Sequence, residues 1–175
     1  MRKQLAAEPF RLNAEQIAWV EDTLASMSVE DRLHQLFCLI TYSDDPEELR
    51  TLAEQVRPGG VMSRAVTTEQ ALRTVRTLQE HPRIPLLISA NLEAGGNGLL
   101  TDGTLFAKPM AVAATDDVEQ ARRLGEICGT EGSAVGANWA FAPIVDIDYN
   151  FRNPITNTRT FGSAPERVRQ MGLAY

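Results

Sequence analysis

The sequence predicts an α/β protein built around a parallel β-sheet. Short apolar stretches alternate along the chain with longer segments in which apolar residues recur at helical spacing. The apolar stretches have few polar residues at alternate positions, which is typical of strands covered on both faces. Such repeated strand–helix units allow two architectures, a doubly wound sheet or a (β/α)8 barrel.

Predicted helices begin at side chains that can cap a helix N-terminus. Asn13 and Ser28 each precede a Gln or Asp by three residues, which is the spacing of a capping box. Asp45 stands before Pro46, and proline suits the first position of a helix. Further helices are expected over 67–81, after Asp116 or Asp117, and from Pro165.

Four apolar segments between the helices are predicted strands. They are the end of LFCLI (36–40), GGVMS (59–63), IPLLISANLE (84–93) and NWAFAPIVDID (138–148). The last strand is expected to be buried, and Phe106, Trp139 and Phe141 are expected in the core. Four strands cannot close a barrel of eight, and no Gly or Asn ends the last helix before Tyr175. Either the chain is therefore part of a longer protein, or it does not have this architecture.

Composition excludes several classes of function. The chain has 175 residues, is 43% hydrophobic and has a net charge of −6, and no run of Lys or Arg indicates nucleic-acid binding. No apolar stretch approaches the roughly 20 residues that span a bilayer. The basic start lacks an apolar segment behind it, so a cytoplasmic location is expected. Cys38 and Cys128 are predicted buried thiols, and neither they nor the two histidines have the spacing of a metal site, so no metal or cofactor is expected.

Polar residues cluster where the third and fourth predicted strands end. Asn91 and Glu93 come directly before three glycines in ISANLEAGGNG (88–98), and Asp146 and Asp148 end the fourth strand. In parallel α/β proteins ligands bind at the carboxyl ends of strands. Amide and carboxylate groups, with Arg152 and Arg159 in the following loop, suit the many hydroxyls of a sugar.

Each of these residues also has a purely structural interpretation. The glycines can serve a turn, and they lack the spacing of a phosphate-binding loop. The aspartates can cap turns, and the arginines can form structural ion pairs. Glu131 falls on the apolar face of a predicted helix and is interpreted as a buried acid with an unknown partner.

Several motifs in order resemble family 3 glycoside hydrolases from Asp31 to Tyr175. They are RLHQLF, PGGVM, IPLLISANLEAGG, GTLFAKPMAVAAT, RLGEICGTEGSAVGANWAFAPIVDID and NPITNTRTFGSAPERVRQMGLAY. The resemblance implies that residues 31–175 are the N-terminal half of a parallel (β/α)8 TIM-type barrel, with 1–30 as a helical lead-in. It also implies exo-acting, retaining cleavage of β-glycosides, in which a carboxylate attacks the anomeric carbon.

The resemblance also implies roles for individual residues. Arg159 falls on the family's sugar-binding arginine, and Asn91 falls where the family usually has a sugar-binding aspartate. Glu93 matches the acid before the glycines, and Asp146 matches the aspartate of a strand end. The family's nucleophile, its Lys-His pair and the acid/base histidine of one branch lie beyond residue 175. This chain therefore contains no catalytic residue and is expected to be inactive alone.

Three functional hypotheses remain open at this stage. LEAGG resembles the β-N-acetylhexosaminidase branch of the family, and β-glucosidase is the alternative within it. A second possibility is a half-barrel that binds carbohydrate without cleaving it and self-associates through its open sheet edges. A doubly wound nucleotide-binding domain is disfavoured because the chain has no phosphate loop.

Overall fold

The computed structural model describes residues 1–175, and its centre is a four-stranded parallel sheet. The strands are β1 (Cys38–Thr41), β2 (Gly60–Ser63), β3 (Leu87–Ala90) and β4 (Trp139–Ala140). Each strand pairs with the next in the chain, so the spatial order is β1-β2-β3-β4. A doubly wound sheet reverses its strand order at a switch point. This sheet has no reversal, which favours the first half of a (β/α)8 barrel.

Eight α-helices accompany the sheet. They are α1 (Arg2–Leu5), α2 (Ala14–Ser26), α3 (Val29–His34), α4 (Pro46–Thr51), α5 (Thr68–Glu80), α6 (Pro109–Ala114), α7 (Val118–Ala134) and α8 (Pro165–Ala174). A π-helical turn, Leu52–Val56, continues α4, and short 3-10 turns lie at Gly96–Gly98 and Asn157–Arg159. The predicted capping boxes at Asn13 and Ser28 are both present. The cap of α7 is Asp117, whose carboxylate accepts a hydrogen bond from the Glu119 backbone N–H.

The core lies between the sheet and the helices. Val61, Ile88 and Ala90 on the outer face of the sheet are almost completely buried. Val61 and Ile88 belong to a cluster with Leu49 of α4 and Leu78 of α5. The other face of the sheet is partly open: Ile40 of β1 is 50% exposed and Leu87 of β3 is 47% exposed, whereas Met62 and Ser89 between them are buried. In the wall of a barrel, the outer face of the sheet packs against helices and the inner face points toward the other strands of the barrel. The sheet has this arrangement.

The fourth strand and the aromatic residues near it differ from the prediction. β4 has only two residues, because Pro143 lacks the N–H that would extend the ladder. Trp139, Phe141 and Phe106 are 38%, 38% and 36% exposed, so the prediction that they are core residues was wrong. The rings of Trp139 and Phe141 contact each other with centroids 4.6 Å apart on the open side of the sheet.

A buried polar contact joins the last helix to the end of β3. The Leu92 carbonyl accepts hydrogen bonds from the Cys128 thiol at 3.1 Å and from the Tyr175 hydroxyl at 2.5 Å. Burial raises the pKa of the Cys128 thiol and raises that of the Tyr175 hydroxyl still more. Cys128 is buried as predicted, whereas Cys38 is half-buried.

These raised pKa values predict that the protein loses stability in alkali. The unfolded chain releases the thiol and phenol protons near the ordinary pKa values of these groups, 9.0 and 10.0, while the folded chain retains them. The folded state then binds more protons, so the free energy of unfolding falls as pH rises above about 9. We expect Tyr175→Phe to flatten this fall in urea unfolding between pH 8 and 11. Parallel curves for the two proteins would contradict the assignment.

Candidate functional site

A polar cleft lies at the carboxyl end of β3. It has a volume of about 380 Å³ and is lined by Asn91, Glu93, Ala94, Asn97, Gly98, Lys108 and Arg159. Asn91 and Glu93 directly follow β3, and Arg159 comes from the 3-10 turn after β4. The structure therefore brings together three of the four predicted binding residues, and their role in binding stays a prediction.

An ion pair between Glu93 and Arg159 forms one wall of the cleft. Arg159 Nε donates to Glu93 Oε2 at 2.8 Å, and Nη2 donates to Oε1 at 2.6 Å, so the contact is bidentate. The Glu93 side chain is 8% exposed and that of Arg159 is 37% exposed. The hydrogen bond to Glu93 raises the pKa of the Arg159 guanidinium, which therefore stays charged. Glu93 thus fixes Arg159. Nη1 also donates to the Ile155 carbonyl at 3.4 Å, and the remaining N–H groups of the guanidinium are available to a ligand.

Asn91 contributes an uncommitted amide to the same cleft. Asn91 is half-buried, and its side chain forms no hydrogen bond within residues 1–175. An amide offers both an acceptor oxygen and two N–H donors. The Asn91 side chain is therefore free to bind hydroxyl groups, and it adds no charge.

Glycines shape the loop that follows Glu93. Gly95 has φ = 135°, a conformation that favours glycine. The loop turns back at this point, so that Phe106 N–H donates to the Ala94 carbonyl at 2.8 Å. Glu131 of α7 holds the turn, because its carboxylate accepts a hydrogen bond from Thr104 N–H at 2.9 Å. Glu131 is half-buried, not buried as predicted, and Thr104 is its partner, which the sequence alone did not identify.

The folded loop brings two unpredicted residues, Asn97 and Lys108, to the cleft. Lys108 is the N-cap residue of α6, and it has no carboxylate within 4.0 Å. The cleft therefore contains two cations, Lys108 and Arg159, and one carboxylate, Glu93. Helix α6 was not predicted, although KPM in the sequence has the proline that commonly occupies a first helical position.

Asp146, Asp148 and Arg152 do not line the cleft. Asp146 is exposed and helps to raise the pKa of Arg159, so its carboxylate lies near that guanidinium without lining the cleft. Arg152 packs over the Phe151 ring at 5.3 Å. One carboxylate oxygen of Asp148 is buried without a partner.

The strand order and the position of the cleft place the chain among (β/α)8-barrel proteins. It forms part of such a barrel, with a polar site at the carboxyl ends of the strands. No group of three His, Cys, Asp or Glu side chains is placed to hold a metal ion. None of the helices has the length and apolar composition that crossing a membrane requires.

Comparison with known families identifies the chain more closely. The family model of the glycosyl hydrolase family 3 N terminal domain matches residues 28–175. The chain belongs to this family, and the prediction of both family and half-barrel is confirmed.

Two curated relatives are enzymes that act on sugars. A beta-N-acetylglucosaminidase/beta-glucosidase of Cellulomonas fimi is 51% identical over 171 residues, which cover 98% of this chain and 30% of that protein. A beta-hexosaminidase A of Pseudoalteromonas piscicida is 28% identical over 150 residues, 78% of this chain and 25% of that protein. The chain thus spans less than a third of the length of either relative.

Two solved structures have the same fold. A beta-glucoside phosphorylase bound to 2FGlc superimposes with a TM-score of 0.88 at 48% identity, covering 98% of this chain and 31% of that one. A glycoside hydrolase family 3 beta-N-acetylglucosaminidase from Paenibacillus sp. str. FPU-7 gives a TM-score of 0.78 at 27% identity, covering 85% of this chain and 30% of that one.

Proposed function

We propose that this chain is part of a longer enzyme that cleaves terminal β-linked sugars with retention of configuration. The observation that supports this most is the cleft, in which Asn91 and Arg159 present free hydrogen-bonding groups at the strand ends of a family 3 barrel wall. The proposed substrate is a β-linked amino sugar or glucoside.

Each residue of the cleft has a proposed role. Asn91 and Arg159 bind hydroxyl groups of the terminal sugar, and Glu93 holds Arg159 in position through the bidentate pair. Asp146 adds negative potential near the same guanidinium. The nucleophile and the proton donor come from chain outside residues 1–175, so the isolated 175-residue chain is inactive. The isolated chain is also proposed to self-associate through its open sheet edges.

The preferred sugar is N-acetylglucosamine, and glucose is the alternative. LEAGG at 92–96 resembles the hexosaminidase branch. The Cellulomonas fimi relative has both activities in its name, and the Pseudoalteromonas piscicida relative is named a beta-hexosaminidase. Turnover of an aryl N-acetyl-β-glucosaminide and an aryl β-glucoside by the longer protein tests the proposal. We expect cleavage of the first and weaker cleavage of the second. Failure to cleave either substrate would refute the proposed activity.

A second candidate function is phosphorolysis, in which inorganic phosphate replaces water as the acceptor. One observation favours it: a structure 48% identical to this chain is described as a beta-glucoside phosphorylase. The charge of the cleft is compatible, because Lys108 has no carboxylate partner and Asn91 brings an uncharged amide where the resemblance to the family implies an aspartate. A dianionic acceptor would be repelled by an additional carboxylate at this position.

Asn91→Asp is therefore expected to affect the reaction with phosphate differently from the reaction with water. The new carboxylate would strengthen hydrogen bonds to sugar hydroxyls but repel phosphate, so the ratio of phosphorolysis to hydrolysis should fall at least about tenfold. The products, sugar 1-phosphate and free sugar, are measured in the longer protein with and without phosphate. Gln55→Glu makes the same charge change at an exposed position outside the cleft and should leave the ratio unchanged. If the wild-type protein forms no sugar 1-phosphate when phosphate is present, phosphorolysis is excluded.

A further inference from the structure

The peptide group that joins Leu92 to Glu93 is held by two hydrogen bonds from outside the cleft. The Leu92 carbonyl accepts one from the Cys128 thiol of α7 at 3.1 Å and one from the Tyr175 hydroxyl, at the end of α8, at 2.5 Å. A carbonyl oxygen has two lone pairs, so these donors occupy its full acceptor capacity. Because a peptide group is planar, they also fix the orientation of the plane from which Glu93 begins.

These contacts lie in the larger hydrophobic core of the protein. Leu92 is 4% exposed and Cys128 is 1% exposed, and Tyr175 packs against the same core. A Cβ atom at Gly132 would lie 2.7 Å from Leu92 Cδ1, so the Leu92 side chain packs directly on α7. A buried carbonyl that loses its donors is costly. Loss of either donor is therefore expected to shift this peptide group.

Gly125 of α7 allows Tyr175 to reach the carbonyl. A Cβ atom at position 125 would lie 2.2 Å from the Tyr175 backbone oxygen, which is far closer than van der Waals contact. The obstacle would be backbone, which cannot move aside as the end of a flexible side chain can. Helix α8 therefore approaches α7 this closely because residue 125 has no side chain.

The peptide group held in this way leads directly to the cleft. Glu93 is the next residue, and its carboxylate holds Arg159 through two hydrogen bonds of 2.8 and 2.6 Å. Besides burial and the contact with Cys128, the negative charge of Glu93 raises the pKa of the Tyr175 hydroxyl. The Tyr175 hydroxyl and the Glu93–Arg159 pair therefore lie close together on opposite sides of one peptide group.

We propose that Cys128 and Tyr175 position the sugar-binding groups of the cleft by holding the Leu92 carbonyl. These three residues are called the Leu92 clamp. The clamp sets the direction in which Glu93 leaves the end of β3, and Glu93 in turn places the Arg159 guanidinium. The inference rests on the proposed function, because the guanidinium must bind the terminal sugar. Cys128 and Tyr175 do not line the cleft, so they act only through the groups that they position.

Tyr175→Phe tests the clamp with the smallest change, because it removes the hydroxyl and keeps the ring. In the longer protein it should lower kcat/KM for an aryl glycoside about tenfold and raise the inhibition constant of the free sugar by a similar factor. Cys128→Ala should lower kcat/KM about threefold, whereas Cys128→Ser retains a donor and should stay within about twofold of the wild type. If Tyr175 only fills space, Tyr175→Phe will change neither constant, and the proposal is overturned.

Gly125→Ala and Gly129→Ala make the same change one helical turn apart in α7. The first places a Cβ atom against the Tyr175 backbone, and the second meets nothing within 4 Å. Gly125→Ala should lower kcat/KM at least about tenfold, and Gly129→Ala should leave it unchanged. Equal activity of the two variants would contradict the role of Tyr175.

A double-mutant cycle in urea unfolding tests the clamp without relying on activity. If Tyr175 acts through Glu93 on Arg159, the effects of Tyr175→Phe and Arg159→Ala on the unfolding equilibrium constant should not multiply. We expect the double variant to differ from the product of the single effects by at least about fivefold. Agreement within about twofold would overturn the clamp, even in an enzyme that cleaves glycosides. If the wild type cleaves no glycoside, the proposed function fails, and the cycle still decides whether the clamp positions Arg159.

Discussion

Arg159→Ala is expected to remove most of the protein's affinity for sugar and to lower its free energy of unfolding by about 2–3 kcal/mol. The substitution leaves the carboxylate of Glu93, whose side chain is 8% exposed, without its bidentate partner. Arg159 is itself 37% exposed, so water reaches the pair and the cost stays below that of a fully buried one. Urea unfolding and sugar binding by calorimetry measure the two effects.

A nearly identical ion pair on the surface provides the control. Arg169 of α8 donates to Glu166 through Nε at 2.9 Å and Nη2 at 2.7 Å, but both side chains are at least 60% exposed. Arg169→Ala should therefore change neither stability nor sugar binding appreciably. Equal losses of stability in the two variants would show that burial of Glu93 is not what makes the Arg159 pair important.

Gly98→Ala is expected to lower kcat/KM of the longer enzyme about a hundredfold. A Cβ atom at Gly98 would overlap the backbone carbonyl oxygen of Asn91. Backbone cannot move aside as a flexible side chain can, so the strand end that presents Asn91 must shift. Displacement of a substrate-positioning group by about 1 Å is enough for a loss of this size. Kinetics on an aryl glycoside measure it.

Gly129→Ala is the matched control for this substitution. Gly129 lies in α7, and a Cβ atom there would meet nothing within 4 Å. Alanine has the higher helix propensity, so this variant should be active and up to about 1 kcal/mol more stable. Full activity in Gly98→Ala would mean that the loop tolerates the extra atom and that Asn91 is not held by it.

Local signals in the sequence predicted much of the fold. The caps at Asn13, Ser28 and Asp45 depend on contacts within three residues, and all three are present. The apolar runs of β2 and β3 also predicted strands correctly, because strands that pack against helices consist mainly of apolar residues.

Long-range contacts account for what the sequence could not predict. Glu93 and Arg159 are 66 positions apart, and nothing local indicates that they form an ion pair. Lys108 reaches the cleft only because the loop after Gly95 folds back. Trp139 and Phe141 are large apolar residues of the kind found in cores, but they lie on the open inner face of the sheet. Hydrophobicity alone does not show whether an apolar residue packs under helices or points into a barrel.

A crystal structure of the longer protein with N-acetylglucosamine or glucose bound tests the central claim most directly, because it locates the terminal sugar. The claim is that the cleft at the end of β3 binds this sugar. We predict ring hydroxyls within hydrogen-bond distance of the Asn91 amide and the Arg159 guanidinium, with the Glu93–Arg159 pair intact. A sugar bound elsewhere, with Asn91 and Arg159 facing only solvent, would contradict the account.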